Sequence, residues 1–545
     1  MPRRDVPWLL VGLWWVAMVA IAVATRPYLP VDETRYLAVA WEMHWRGDYL
    51  VPHLNGVLYS HKPPLMFWLI NAGWAMFGFN EWWPRIAVPL AALGALILTA
   101  QFARRLWPQQ QNVASVAVLI AGGAALWVGF TTTIMFDLLL TLCVLLALAG
   151  VLAARQRPLA GWLLCGAGIG LGVLAKGPVV LLHALPVAVL APWWMTAAPA
   201  GGWARWYGGI TLGVALGAAI ALAWAIPAAI SGGDAFANEL FWHQSANRMV
   251  KSFAHQRPFW WYLPALPLML FPWLVWPPVW RGFVMLARGP RDEGVRFCLA
   301  WSLPVLAAFS FISGKQVHYL LPEFPAFALL AALGLSRLAG APRRHTQWLV
   351  AGLLIAVAAT LLLLKEERLA SLVAADDRVW ILSTAIVFAT VGALLALVRP
   401  VSYRHGAALL ASATVTLFLS LHVGLFQAFG NAYDMAAPAR FLAGVQAEGR
   451  PVAHVGKYHG QFHFAGRLRE PLTVIWPNEV RRWAEQHPEG FVVSYQRGHW
   501  QPPVAPVFVQ RYRGQTVYFW RAADAAQVPP DALYTGGLET DAESD

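Results

Sequence analysis

The sequence contains little charge and little cysteine. Asp, Glu, Lys and Arg make up 12% of its 545 residues, against about 25% in an average soluble domain. The cysteines, Cys143, Cys165 and Cys298, are odd in number and lie inside apolar segments. We therefore expect no disulfide framework and interpret them as small core residues. With 58% hydrophobic residues, the composition excludes a soluble globular enzyme.

The sequence is instead rich in long apolar runs. They recur between residues 6 and 428, each about 20 residues long, which is enough helix to cross about 30 Å of hydrocarbon. This predicts a polytopic all-α membrane protein with about thirteen spans. The run from Leu65 to Phe79 is predicted to lie at the membrane interface instead. The predicted spans are 6–24, 82–103, 113–131, 136–154, 159–175, 177–195, 208–230, 262–280, 296–312, 319–339, 347–364, 379–398 and 406–428.

The basic residues predict an orientation. The formal net charge is +12, and Arg residues recur in alternate short loops, which the positive-inside rule places in the cytoplasm. With Arg3 and Arg4 inside and an odd number of spans, we expect the N-terminus inside and the C-terminus outside. The first apolar run is interpreted as a retained helix rather than a signal peptide, because further spans follow it. The excess of Lys and Arg thus indicates topology, and we expect no nucleic-acid partner.

Two domains are predicted. Residues 1–430 form the membrane domain, with external loops at 25–82 and 231–262. From 431 to 545 the chain alternates polar and apolar residues between Pro-rich, charged connections, a pattern typical of strands. We expect a small external α/β domain there, ending in a flexible acidic tail at Leu538–Asp545.

The first external loop begins with adjacent carboxylates. Asp32 and Glu33 stand a few residues beyond the first span, and such groups beside a membrane are costly unless they meet a cation, a metal or a reacting group. The alternative is a structural role. Asp32 precedes a predicted amphipathic helix that continues through Trp45, and its side chain would cap that helix.

The same loop ends in the basic segment Tyr59-Ser-His61-Lys62-Pro63-Pro64. The prolines favour an extended chain, which holds a Lys and a His at the membrane face. These side chains would anchor lipid headgroups, or Lys62 would bind a phosphate as a point charge.

Further polar residues fall on the same side in this topology, namely Asp137, Lys176, Lys315 and Tyr319. A single charge at a helix end commonly reaches the headgroups. Several cations with a few carboxylates beside an apolar cavity suit a phosphate-bearing lipid whose tail lies in the bilayer. The Gly-rich stretch 166–172 is interpreted as close helix packing, so no nucleotide cofactor is expected.

The loop at 231–262 supplies Arg248 and His255, followed by an aromatic stretch. A single loop histidine is usually a surface residue. Metal binding by His255 would therefore need partners such as His61 and a carboxylate of the first loop.

Taken as an ordered set, these motifs resemble the GT-C glycosyltransferases of the ArnT-like, protein-mannosyltransferase-related family, over nearly the whole chain. The motifs are Asp32-Glu33, Gly47–Gly56, Lys62-Pro63-Pro64, Asp137, Lys176-Gly177, His255 to Trp260 and Lys315 to Pro322. The resemblance implies a polyprenyl-phosphate sugar donor, usually undecaprenyl-linked, at the bacterial inner membrane and an acceptor reached from the periplasm. The expected acceptor is lipid A, the expected sugar is 4-amino-4-deoxy-L-arabinose, and transfer is expected to invert the sugar carbon.

The resemblance also implies roles for individual residues. Lys62, helped by other cations, would stabilise the charge that grows on the leaving phosphate, and Asp32 would orient or deprotonate the acceptor. The implied catalytic residues are Asp32, Lys62 and Asp137, and the implied substrate-binding residues are Glu33, Arg35, Tyr59, Arg85, Lys176, Arg248, Lys315 and Tyr319. His61 stands where aminoarabinose transferases carry a Glu that, with the loop His, is associated with a metal. A divalent ion, zinc or another, would here involve His61 and His255.

Two alternatives stay open. The same residues would serve transfer of another sugar to a protein or to a different glycan. A transporter or flippase of a lipid-linked sugar would use the same basic cavity without chemistry. A transporter typically has discontinuous helices, paired repeats and polar residues near the bilayer midplane, whereas here the candidate charges collect at one face.

Overall fold

The structure is a computed structural model that describes residues 6–241, 256–290, 292–363, 378–498 and 500–534. The chain divides into two compact units. The membrane unit contains Met1–Ala24, His61–Met66 and Asn80–Gly424, and the sheet unit contains Thr25–Ser60, Phe67–Phe79 and Leu425–Asp545. The sequence predicted that the loop at 25–82 belongs to the membrane domain. In the structure most of that loop belongs to the same unit as the C-terminal segment.

Helices account for most of the described chain. In chain order they are α1 (Trp8–Thr25), α2 (Asp32–Arg46), α3 (Leu65–Phe77), α4 (Pro84–Leu106), α5 (Val113–Gly122), α6 (Ala125–Thr131), α7 (Asp137–Ala154), α8 (Pro158–Lys176), α9 (Val179–Val189), α10 (Ala191–Trp194), α11 (Gly202–Asn238), α12 (Tyr262–Met269), α13 (Pro277–Arg288), α14 (Glu293–Phe311), α15 (Phe324–Ser336), α16 (Trp348–Leu362), α17 (Arg378–Leu397), α18 (Tyr403–Phe429), α19 (Ala436–Ala447), α20 (His463–Gly466), α21 (Val480–Gln486), α22 (Ala522–Ala525) and α23 (Pro530–Leu533). The strands are β1 (His53–Leu54), β2 (Val57–Leu58), β3 (Val452–Val455), β4 (Thr473–Ile475), β5 (Phe491–Arg497), β6 (Phe508–Tyr512) and β7 (Gln515–Arg521).

The described residues contain ten helices long and apolar enough to cross a membrane, or eleven if the bent pair α5 and α6 forms one span. This confirms the predicted class, a polytopic helical membrane protein. Three of the about thirteen predicted spans are not single long helices, and the first of them, 113–131, is the bent pair α5 and α6. The segment 177–195 gives the 11-residue α9 and the short α10. The segment 262–280 gives α12, a 3-10 turn at Trp273–Val275 and the start of α13. Pro192 and Pro277 stand at the first positions of α10 and α13, where proline is tolerated and a new helix begins.

Close packing in the membrane unit depends on glycine. Helix α8 packs against both α7 and α11. A Cβ atom at Gly168 would lie 2.4 Å from the backbone nitrogen of Ala147, and one at Gly166 would lie 2.7 Å from the carbonyl oxygen of Gly213. The Gly-rich stretch thus lets neighbouring backbones approach, as the sequence predicts.

Two irregular segments interrupt the helices of the membrane unit. Helix α8 ends at Lys176, and Gly177, whose φ of 84° favours glycine, turns the chain into α9. Between α14 and α15 the chain forms a 3-10 turn at Val317–Glu323. These interruptions place polar side chains inside an otherwise apolar unit.

The sheet unit is built on five strands in the order β4-β3-β5-β7-β6. Strand β3 runs parallel to β4 and β5, whereas β7 runs antiparallel to β5 and β6. Successive side chains of a strand point to opposite faces, so Phe491 and Val493 join one buried core and Val492 joins the other. The sheet is therefore covered on both faces, which confirms the small α/β domain.

The first loop packs into this unit. Trp41 of α2 donates from Nε1 to the carbonyl oxygen of Leu468 at 2.8 Å. The Asn55 side chain donates to the Leu472 carbonyl at 2.9 Å and accepts from the Leu472 N–H at 2.8 Å. The Arg467 guanidinium lies 4.4 Å from the Phe79 ring centroid. The segment that follows α1 is thus an integral part of the C-terminal domain.

Candidate functional site

A buried ion pair lies where α7 begins and α8 ends. Lys176 Nζ is 2.5 Å from Asp137 Oδ1, and the side chains are 15% and 1% exposed. Asp137 stands in the first turn of α7 and Lys176 in the last turn of α8, so each charge is opposite in sign to the helix end that carries it. The helix dipoles therefore support both charges.

Other polar side chains surround this pair. The Lys176 ammonium lies 4.9 Å from the ring centroid of Tyr319, whose ring is 4.9 Å from that of His318. Asp137 also interacts electrostatically with His318 and with Lys62. We call Lys62, Asp137, Lys176, His318 and Tyr319 the cation cluster. The sequence singled out four of its members and missed His318, although that residue stands within the Lys315 to Pro322 motif.

The cation cluster has spare hydrogen-bonding capacity. Asp137 Oδ2 is buried and has no hydrogen-bond partner among the described residues. A lysine ammonium has three donors, and Asp137 Oδ1 uses one of those of Lys176. The cluster can therefore take a further polar group, and its cations favour an anion.

Lys315 is fastened to the backbone nearby. Its side chain is buried, and Nζ donates to the carbonyl oxygens of Arg257, at 3.0 Å, and Ile312. Burial lowers the pKa of Lys315. These contacts hold the chain that leads into the 3-10 turn, and the predicted role of Lys315 in binding substrate stays a prediction.

Arg85 anchors the first span. It is buried and donates from its guanidinium to the Ala22 carbonyl at 2.5 Å, which ties α4 to α1. Arg248 and His255 lie outside the described residues. Within the described part of the chain no group of three or more His, Cys, Asp or Glu side chains is arranged to hold a metal ion. A metal at His61 and His255 stays a prediction.

The sheet unit carries the predicted acceptor-side residue. Asp32 is exposed, and its Oδ1 accepts a hydrogen bond of 3.0 Å from the Tyr36 hydroxyl. The N-cap position of α2 is Val31, and no side chain caps the helix, so the capping role weighed for Asp32 is wrong. Burial, followed by the charge of Asp32, raises the pKa of Tyr36 well above its usual range, so Tyr36 stays a donor.

Glu33, next to Asp32, has a different environment. Its two carboxylate oxygens accept from the Arg26 guanidinium at 2.5 and 2.8 Å, and one also accepts from the Leu29 N–H at 2.7 Å. The side chain of Glu33 is 3% exposed and that of Arg26 is 1% exposed. Glu33 therefore fixes the turn that precedes α2. Arg26 was not among the residues predicted from the sequence, where its one signal is its position directly after the first apolar run.

Two further predicted residues lie in the same unit. Tyr59 is buried, with its ring 6.3 Å from that of Phe67, and it interacts electrostatically with Tyr36. Arg35 is half-buried beside Tyr36 on α2. Tyr59, Arg35 and Tyr36 thus lie near one another in the sheet unit.

The fold and the cation cluster define a class, the polytopic membrane proteins of GT-C fold. The crystal structure of ArnT from Cupriavidus metallidurans bound to undecaprenyl phosphate matches 94% of this chain and 97% of that chain, with a TM-score of 0.73 and 21% identity. The apo structure of the same protein gives a TM-score of 0.74 and 21% identity over 95% of this chain and 98% of that chain. These likenesses confirm the predicted fold.

Sequence relatives are more specific. The chain is 30% identical over 335 residues to the undecaprenyl phosphate-alpha-4-amino-4-deoxy-L-arabinose arabinosyl transferase of Erwinia tasmaniensis, covering 59% of this chain and 58% of that protein. It is 31% identical over 349 residues to the protein of the same name from Edwardsiella ictaluri, covering 62% and 61%. The matched region thus spans less than two thirds of these relatives.

A family model agrees with the relatives. The model described as dolichyl-phosphate-mannose-protein mannosyltransferase matches residues 61–231, a range that holds Lys62, Asp137 and Lys176. Together with the relatives, this match confirms the resemblance to the ArnT-like, protein-mannosyltransferase-related family that the ordered motifs indicated.

Proposed function

We propose that the protein is an integral-membrane glycosyltransferase that moves one sugar from a polyprenyl-phosphate donor to an acceptor. The cation cluster carries this proposal, because it places Lys62, Lys176 and His318 around one buried carboxylate in an apolar unit. Such a site suits an anionic headgroup whose tail lies in the bilayer. The names of the relatives support a sugar-transfer reaction.

The chemistry follows from the charges. During transfer the bond between the sugar carbon and the phosphate oxygen breaks, the phosphate keeps the electron pair, and an acceptor oxygen forms the new bond. The transition state is oxocarbenium-like, and negative charge grows on the phosphate. Lys62 and Lys176 would stabilise that charge, while Asp137 orients the Lys176 ammonium.

Asp32 keeps the acceptor role that the sequence predicts for it. If the acceptor is a hydroxyl, Asp32 takes its proton as the new bond forms. If the acceptor is a phosphate, the attacking oxygen is already ionised and Asp32 only orients it. Tyr36, which donates to Asp32 Oδ1, would hold the carboxylate in either case.

The donor and acceptor are proposed from the relatives and the family. The relatives are named for undecaprenyl phosphate-linked 4-amino-4-deoxy-L-arabinose, so we take this as the donor, with lipid A as the acceptor at the periplasmic face of the inner membrane. A divalent metal at His61 and His255 is part of the proposal, and none of the steps above depends on it.

The test is mass spectrometry of lipid A, glycolipids and envelope proteins from cells with the protein, without it, and with the Asp32→Asn variant. An aminopentose on lipid A that only the wild-type protein adds would support the full proposal. Another sugar, or a sugar on protein, would keep the transferase and overturn the specificity. Lipid-linked sugar redistributed between leaflets, with no new glycoconjugate, would overturn the transferase in favour of a transporter.

A further inference from the structure

A second acid–base pair is buried in the membrane unit, outside the cation cluster. His183 of α9 and Glu323 are 1% and 7% exposed, and His183 Nδ1 lies 2.7 Å from Glu323 Oε1. The other oxygen of Glu323 has no hydrogen-bond partner among the described residues. The mechanism above uses neither residue.

A polar pair in this setting calls for a physical reason. Titratable groups inside a membrane protein are costly and usually pair with one another or serve a function. Apolar residues of similar volume often give equal or greater stability than a buried pair. Stability alone therefore does not explain why His183 and Glu323 are buried here. A role in holding a neighbouring segment in place does explain it.

The pair fastens one end of an irregular segment. Glu323 is the last residue of the 3-10 turn Val317–Glu323, which also carries Tyr319. A 3-10 turn has poorer internal hydrogen bonds than an α-helix, so tertiary contacts decide where it lies. The Tyr262 hydroxyl holds its start by donating to the Gln316 carbonyl at 3.0 Å, and His183 holds its end.

Ring contacts continue from this pair to the cation cluster. The Phe309 ring lies 5.4 Å from the ring of His183 and 5.7 Å from the ring of Tyr319. Tyr319 in turn lies 4.9 Å from the Lys176 ammonium. A contiguous series of contacts therefore joins the His183–Glu323 pair to Lys176.

We propose that His183 and Glu323 are positioning residues for the cation cluster. They hold the 3-10 turn so that the Tyr319 ring covers the Lys176 ammonium, which limits the directions in which Lys176 can donate. The attraction between the ammonium and the ring supports this arrangement. The inference rests on the proposed function, because the orientation of Lys176 matters for binding a polyprenyl phosphate.

The inference is tested by a double-mutant cycle in which the measured quantity is the Kd for undecaprenyl phosphate. The full chain in detergent micelles is titrated with undecaprenyl phosphate, a probe that needs neither sugar nor acceptor. We expect Glu323→Leu and Tyr319→Leu each to raise Kd about tenfold, and the double variant to raise it no further, because both changes act through the same contact. Additive effects, about hundredfold in the double variant, would overturn the inference.

Matched variants separate positioning from folding. Glu323→Gln keeps the volume and a hydrogen bond to His183, so it should bind like the wild-type protein, and a tenfold loss would overturn the inference. His183→Phe removes the hydrogen bond between His183 and Glu323 from the histidine side, and it should raise Kd as much as Glu323→Leu does. It therefore keeps the test usable if Glu323→Leu does not fold. Equal binding by wild type and His183→Phe would also overturn the inference.

A control for loss of stability lies on the same helix as Phe309. Glu293→Gln weakens the Arg155–Glu293 pair, 2.7 Å in length, about 24 Å along α14 from Phe309. It should lower Tm without changing Kd. Absence of binding by the wild-type protein would overturn the proposed function itself, whereas wild-type binding with an additive cycle would overturn only the positioning role.

Discussion

The Lys176 ammonium and the Asp137 carboxylate, 2.5 Å apart, join the end of one membrane helix to the start of its neighbour. Helices α7 and α8 are antiparallel neighbours in sequence and in space, so this contact lies at the end of their interface opposite the short connection at residues 155–157. The pair therefore stabilises the packing of α7 against α8 and also forms the centre of the cation cluster.

These two roles can be separated by mutation. Lys176→Met leaves the buried Asp137 carboxylate without its hydrogen-bonded cation, which should destabilise the protein by about 3–5 kcal/mol and abolish binding of undecaprenyl phosphate. The double variant Lys176→Met/Asp137→Leu removes both charges and should recover most of the lost stability, but not the binding. Thermal unfolding and titration in micelles measure the two effects, and recovery of binding in the double variant would contradict the proposed role.

Asp32 and Glu33 should respond differently although they are adjacent. Asp32 is exposed, so Asp32→Asn should abolish transfer while stability changes by less than about 0.5 kcal/mol. Glu33 is buried against Arg26, so Glu33→Gln should cost about 3 kcal/mol, with residual transfer in the molecules that stay folded. Transfer assays and unfolding midpoints of both variants test this. A stable but inactive Glu33→Gln protein would instead assign Glu33 to substrate binding.

The contact between the first loop and the C-terminal domain is testable at Asn55. Its φ of 57° is left-handed, a conformation that Gly adopts without strain. Asn55→Gly should remove only the two hydrogen bonds to Leu472, at about 1–3 kcal/mol, whereas Asn55→Ala should cost about 1–2 kcal/mol more because of backbone strain. Hydrogen exchange at residues 468–472 should rise in both variants, and unchanged protection would show that the contact does not hold the loop.

The sheet unit should lose stability in acid. Burial lowers the pKa of His454 to about 4 and that of His463 to about 3, whereas an unfolded histidine titrates near about 6.5. Between these values the unfolded chain binds more protons, so stability falls as pH decreases through that window and is fully present above about 6.5. At pH 5 each of the two buried histidines should lower the free energy of unfolding by about 2 kcal/mol relative to neutral pH.

Hydrogen bonds explain why these histidines stay neutral. The Gly456 carbonyl only accepts, so His454 Nδ1, 3.0 Å away, carries the proton, and His454 Nε2 accepts from the Tyr495 hydroxyl at 3.0 Å. His463 Nδ1 accepts from the Tyr458 hydroxyl at 2.7 Å. Denaturant unfolding from pH 5 to 8 measures how steeply the free energy of unfolding depends on pH. His463→Asn should reduce that slope by the contribution of about one proton. A flat profile would contradict the burial of neutral imidazoles.

Several features followed from the sequence because they depend on local chemistry. The length of an apolar run sets whether a helix can cross the bilayer, and this predicted the class and most spans. The change to alternating residues predicted the sheet domain. Asp137, Lys176 and Tyr319 were recognisable because several polar residues fall at helix ends on one predicted face, and their order along the chain matched a family.

Other features depended on residues that the fold brings together. No sequence pattern pairs Glu33 with Arg26 rather than with a substrate, because the turn between them decides which groups meet. No pattern pairs His183 with Glu323 either, because they lie on segments distant in sequence that packing brings together. The three divided spans also needed the structure, since the length of an apolar run does not show where a helix within it bends or ends.

By itself, the sequence determined a polytopic membrane protein with a sheet domain and the set of polar residues available for chemistry, because hydrophobicity and periodicity act over tens of residues. Only the tertiary structure decided how those residues are used. It buried Glu33 in an ion pair and left Asp32 exposed, and it fastened Trp41 to Leu468 across 427 positions of sequence. Such choices depend on which side chains lose water together, and that is a property of the folded chain.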